Sequence, residues 1–166
     1  MTRANAIQIG VVAVAALAVD QASKSLVLAY FAASPQPVAV TSFFNLRLGF
    51  NTGVSFGLFR DVFGNSQHLI ALMNLAIALG FTVWAWRTNN AAERVSVSMI
   101  VGGALGNIAD RFRQGAVTDF LDFHWSGWHW PTFNGADVFI TAGAANLMLS
   151  MLWPDGGSRP RKRRSE

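Results

Sequence analysis

An apolar run of about 20 residues strongly limits what a chain can become, because a bilayer offers the backbone no hydrogen-bond partners and only a helix satisfies its own. The run at residues 64–86 carries a single titratable side chain, His68. Three further runs fall at 6–28, 95–112 and 136–153. The first is uncharged until Asp20, and the third meets Asp110 and Arg111 near its end. Together they predict an all-α integral membrane protein: one polytopic domain over residues 1–166 with four transmembrane helices. Composition agrees, with 52% apolar and 13% charged residues, where soluble domains average about 25% charged. Thirteen Phe and six Trp against one Tyr fit a lipid-facing surface. There is no Cys, which excludes a disulfide scaffold, a thiolate metal site and a cysteine nucleophile. The first run has the position of a secretory signal peptide, but it contains Asp20 and Lys24 and three more runs follow it, so it reads as a retained helix.

Orientation follows from Lys and Arg near the helix ends. One side receives Arg3, Arg87, Arg94 and the cluster at residues 159–164; the other receives Arg47 and Arg60, with Lys24, Arg111 and Arg113 at helix ends. The more basic side predicts cytoplasmic N- and C-termini. The basic tail at 155–166 reads as a solvated segment drawn to anionic lipid, not as a nucleic-acid site. Two longer segments, at about 31–63 and 113–135, then lie outside. In the first, Pro35 and Pro37 stop the helix, and residues 44–50 alternate with period two, which predicts a strand. Asn51-Thr52-Gly53 reads as a turn, and residues 54–59 as a returning strand. The result would be a small β-sheet cradle on the outer membrane surface. The second segment holds Trp125, Trp128 and Trp130, which suit an aromatic belt.

Ionisable groups beside membrane spans are costly and therefore candidates for function. Asp20 and Lys24 lie where the first helix leaves the membrane; Asn107, Asp110 and Arg111 where the third leaves it; Asn134 and Asp137 where the fourth enters. The topology sends all three ends to one outer layer. Asp20 and Lys24, four apart, share a helix face and read as an ion pair, with Lys24 snorkelling to the interface. Gly102-Gly103-Ala104-Leu105-Gly106 permits close helix packing; it lacks the Gly-Lys-Ser/Thr ending of a phosphate loop. Asp110 and Arg111 read as braces for the outer segment, and Asn107 as facing substrate.

Two carboxylates held close together share a proton, so one serves as base and the other as acid, the arrangement with which aspartic proteases activate water. Other hydrolytic signatures are missing: no Ser-x-x-Lys and no His-Glu-x-x-His. His124 and His129 read as interfacial side chains, not metal ligands. Asp137 has two candidate partners, Asp119 and Asp122, and the residues alone leave the choice open.

Five blocks carry a resemblance: Asp20-Gln21-Ala22-Ser23-Lys24, Asn51-Thr52-Gly53-Val54-Ser55-Phe56, the stretch 102–111, Val117-Thr118-Asp119-Phe120 and Phe133-Asn134-Gly135-Ala136-Asp137. In this order they resemble the bacterial lipoprotein signal peptidases, or signal peptidase II. The resemblance implies an aspartic endopeptidase of the bacterial inner membrane that cuts prolipoproteins before a diacylglyceryl-modified cysteine. It puts the catalytic pair on Asp119 and Asp137. Asp20, Asn51, Asn107, Arg111 and Asn134 fall on the family's supporting positions, and Lys24, Gly53 and Asp110 lie in the same blocks. Lipid-modified prolipoproteins and membrane lipid are the expected partners, a monomer the expected state, and no metal or organic cofactor is implied. Two other classes compete: a small transporter or proton-coupled channel with the same carboxylates as a relay, disfavoured because nothing charged continues through the inner half, and a non-catalytic assembly factor, for which Asp119 and Asp137 would be dispensable.

Overall fold

The structure, a computed structural model, describes residues 2–53 and 67–152. The expected returning strand at 54–59, the first residues of the second span, Trp153 and the basic tail lie outside the described residues. The described residues form four long helices: α1 (Arg3–Phe31), α2 (Gln67–Arg87), α3 (Ala91–Gln114) and α4 (Gly135–Leu152). The Thr2 hydroxyl accepts the Asn5 N–H and caps α1; Asn90 caps α3 by accepting from Ala92 and Glu93.

Among the described residues, three helices, α1, α2 and α4, are long and apolar enough to cross a membrane. The one that falls short is α3. It packs against α1, α2 and α4 and so has little lipid-facing surface to coat with large apolar groups. Its buried face instead holds Ser96, Ser98, Gly102, Gly103 and Gly106. Small residues let backbones approach. A Cβ on Gly103 would lie 2.5 Å from the Ala136 carbonyl oxygen of α4, and one on Gly143 would lie 2.6 Å from the Ser96 oxygen of α3. Half of the buried apolar residues are alanine (among them Ala16, Ala71, Ala78, Ala85 and Ala136), while Val11, Leu26, Leu72, Leu79 and Leu149 are exposed. That inversion of the water-soluble pattern is what a lipid solvent demands.

Outside the helices lies a four-stranded open antiparallel sheet, ordered β1 (Val38–Ala39), β2 (Phe44–Asn51), β3 (Val117–Trp125), β4 (Trp128–His129). β2 coincides with the alternating stretch, but its long partner is β3, from the other outer segment, with Gly49 opposite Asp119 and Asn45 opposite Asp122. Gly115 ends α3 in the left-handed conformation (φ 72°) and turns the chain into β3 within two residues. The segment before α4 is stitched to β3: the Phe133 oxygen accepts the Phe120 and Leu121 N–H groups at 3.0 and 2.9 Å, and its own N–H returns to Leu121 at 3.1 Å. Asn134 is thereby delivered beside Asp119.

Candidate active site

The polar ends of α1, α3 and α4 meet in one buried layer. Asp20, Lys24 and Asp110 are 0, 2 and 5% exposed. The Lys24 ammonium lies 2.9 Å from Asp20 and 2.9 Å from Asp110, and donates to Asn107 Oδ1 at 3.0 Å. The expectation that Lys24 snorkels to the interface is therefore wrong. Three acceptors satisfy its three hydrogens in place, and nothing is left for water to supply. Gln21, which no sequence signal singled out, donates to Asp110 Oδ1 at 2.9 Å and to Asp20 Oδ2 and the Gly106 carbonyl, each at 3.2 Å. The Asp20 carboxylate occupies space that a Cβ on Gly106 would fill.

Beyond this layer stand Asp119 and Asp137, joined by Asn134. The Asn134 amide nitrogen donates to Asp119 Oδ1 at 2.6 Å and to Asn107 Oδ1 at 3.2 Å. The Asn134 N–H donates to Asp137 Oδ2 at 3.2 Å, and the Asp137 N–H returns to Asn134 Oδ1 at 3.1 Å. This reciprocal pair caps α4 and puts the Asp137 carboxyl at a helix N-terminus, where partial positive charge gathers. Asn107 donates to the other Asp137 oxygen at 2.9 Å. On the far side, Asn51 Oδ1 takes the Gly53 N–H at 2.8 Å, while its side chain hydrogen-bonds Asp119. Gly53 has φ 84°, and a Cβ there would lie 2.9 Å from the Arg111 guanidinium. Arg111 donates to the Asn107 carbonyl at 3.2 Å and stands within electrostatic reach of Asp119 and Asp137. Its buried Nε has no hydrogen-bond partner among the described residues.

The family profile described as Signal peptidase (SPase) II matches residues 12–153. The chain belongs to the signal peptidase II family. The lipoprotein signal peptidase of Methylobacterium radiotolerans is 40% identical over 84% of this chain and 82% of its own length. That of Aeromonas hydrophila is 41% identical over 82% and 83%. A solved structure described as a bacterial membrane enzyme superposes with a TM-score of 0.71 at 25% identity, covering 87% of this chain and 92% of that one.

In this signal peptidase II, Asp122 stands apart from Asp137. It is buried on β3, accepts from Asn45 Nδ2 at 3.3 Å and pairs with His129 Nδ1 at 2.7 Å. It stands three positions after Asp119, an odd spacing, so the two carboxylates leave opposite faces of the strand. Their environments differ accordingly. Burial raises the Asp119 carboxyl to about 6, aided by the Asp137 charge and opposed by hydrogen bonds from Asn51 and Asn134 and by the Lys24 charge. Burial also raises Asp122, but hydrogen bonds from His129 and Asn45 outweigh it, and with the charges of His129 and Arg47 they hold that group below the ordinary carboxylate value.

Two apolar grooves end at the polar layer. One, of about 520 Å³, runs along α4 from Asp137 past Val138, Thr141 and Ala145 to Phe133 and Trp130. The other, of about 220 Å³, lies among α2, α3 and α4 and ends at Asn107.

Proposed function

We propose that the protein is an aspartic endopeptidase that removes the signal peptide from prolipoproteins, cutting immediately before a diacylglyceryl-modified cysteine. The observation that carries this reading is the Asn134 bridge. One residue, through its side-chain amide and its backbone N–H, ties two carboxyls from separate elements into a single unit, and one of them holds a proton to unusually high pH. Asp119 carries the shared proton. Asp137, as the carboxylate of the pair, takes a proton from water while the water oxygen attacks the scissile carbonyl. Asp119 gives its proton to the carbonyl oxygen, and a tetrahedral diol forms. Asp137 then passes its proton to the leaving nitrogen as the C–N bond breaks, and a diol hydroxyl returns a proton to Asp119. Asn107, Asn134 and Asn51 fix the two carboxyls; Asp20, Lys24, Asp110 and Arg111 support them. The groove beside Asp137 suits acyl chains, and the crowding around Gly53, Gly106 and Gly135 favours small residues before the cut. Purified protein incubated with a diacylglyceryl precursor peptide should release a product that begins at the modified cysteine, as read by mass spectrometry. A cut elsewhere, or none, overturns the reading.

The proton carried by Asp119 sets a pH expectation. Its folded value lies above the ordinary 3.8, at about 6, so the active protonation state is lost as pH rises through that region and not near 4. The falling limb of kcat/KM should therefore lie near 6. The limb of kcat should lie higher, because bound substrate excludes more water. Both apparent values belong to the pair. A falling limb below pH 5 would mean that no proton is shared.

We further infer that all four long helices span the inner membrane, with both termini cytoplasmic and the dyad near the outer face. Support comes from the arginines at the opposite end and from the position of α3 between three apolar helices. Reporter fusions after Ser34 and after His124 should read as outside, and those after Asn90 and at the C-terminus as inside. An outside C-terminus would exclude four spans.

A further inference from the structure

The two inner carboxylates, Asp20 and Asp110, make the same unusual contact. Asp20 Oδ1 accepts the N–H of Ala136 at 2.7 Å, and Ala136 immediately precedes Asp137. Asp110 Oδ2 accepts the N–H of Thr118 at 3.0 Å, and Thr118 immediately precedes Asp119. Each carboxylate therefore grips the backbone one residue before a dyad aspartate. The Lys24 ammonium joins these grips, at 2.9 Å from each carboxylate. Its third hydrogen goes to Asn107, whose amide reaches Asp137 at 2.9 Å and whose oxygen also receives Asn134, the residue bonded to Asp119. Three arms from one nitrogen thus end on the two elements that carry the reacting groups.

We propose that Lys24 is a positioning residue that sets the separation of Asp119 and Asp137 by clamping Asp20 and Asp110 at one distance from each other. The proposal rests on the dyad reading above and adds to it a role for a residue behind the dyad. Lys24 itself does not meet substrate: it is 2% exposed, and all three of its hydrogens are engaged. Without it, two buried carboxylates repel across the junction of α1 and α3, and the backbone groups they hold move with them. The energetic logic is that of a supporting shell: the reacting groups tolerate displacement poorly, and a shift of about 1 Å costs on the order of 100-fold in rate.

The test is a separation of kcat from KM in detergent-solubilised full-length protein, with a diacylglyceryl precursor peptide as substrate. Lys24→Met removes the clamp. Lys24→Arg keeps the charge but forces a larger planar head between Asp20 and Asp110. Both should lower kcat by about 10- to 100-fold while KM stays within about twofold of the parent. The thermal midpoint of the Arg variant should stay close to the parent's. Should Lys24→Met fail to fold, Lys24→Arg decides. A folded Arg variant with parental kcat, or one whose KM rises at constant kcat, overturns the proposal. So does an Arg variant that does not fold, since Lys24 would then serve folding alone. Asp137→Asn in the same assay separates this result from the dyad reading. If Asp137→Asn turns over like the parent, the dyad reading fails, whatever Lys24 does.

Discussion

Asp119→Asn and Asp137→Asn should each abolish turnover, by about 10⁴-fold or more, while leaving the helices assembled. Members of a catalytic unit act together, so losing one costs nearly as much as losing both. Asn keeps the shape of the carboxyl and can still engage Asn134, but it can neither hold nor pass the shared proton. The double variant should therefore be scarcely worse than either single one. Asp122→Asn provides the contrast. Its partners are His129 and Asn45, on the opposite face of β3, and an Asn oxygen can still accept from His129. It should keep activity within about tenfold of the parent. Rates of precursor cleavage for the four proteins settle the assignment, and an inactive Asp122→Asn beside an active Asp119→Asn would reverse it.

A precursor lacking the diacylglyceryl group should be cut at least about 100-fold more slowly at equal concentration. That factor corresponds to about 2.8 kcal/mol, which roughly four buried methylenes would supply. Asp137 lies on an apolar groove along α4, so acyl chains seated there would hold the peptide bond that precedes the modified cysteine at the depth of Asp137. Holding it in place also lowers the entropy cost of attack, as does keeping the peptide extended, because a helical backbone shields its carbonyls. Equal rates for the two precursors would make this a general membrane aspartic protease without lipid recognition.

How far the site could be read from sequence depended on the element. The ends of α1, α3 and α4 announced themselves because a charge beside an apolar run is costly and persists where it is paired or put to use. β3 did not. Val117, Thr118, Asp119 and Phe120 are all buried, so neither face of the strand is consistently wet and no period-two signal survives. With the strand hidden, the three-residue spacing that separates Asp119 from Asp122 had no meaning, and only the family resemblance chose between them. Lys24 was misplaced for a related reason. Its pairing with Asp20 follows from helical spacing, but its second carboxylate comes from Asp110 on another helix, which no local pattern records. The central helix shows the reverse effect: its weak hydropathy reflects neighbours on three sides.

The bond between Asp20 and the Ala136 N–H closes a loop of 116 residues. During synthesis, Asp20 and Lys24 leave the ribosome long before Asp110, and Asp137 follows later still. With the proposed dyad, a nascent chain made only as far as β3 carries Asp119 without its partner and would have no peptidase to offer. Hydrolytic capacity would then arrive in a single step, when α4 docks and Asn134 closes over Asp119.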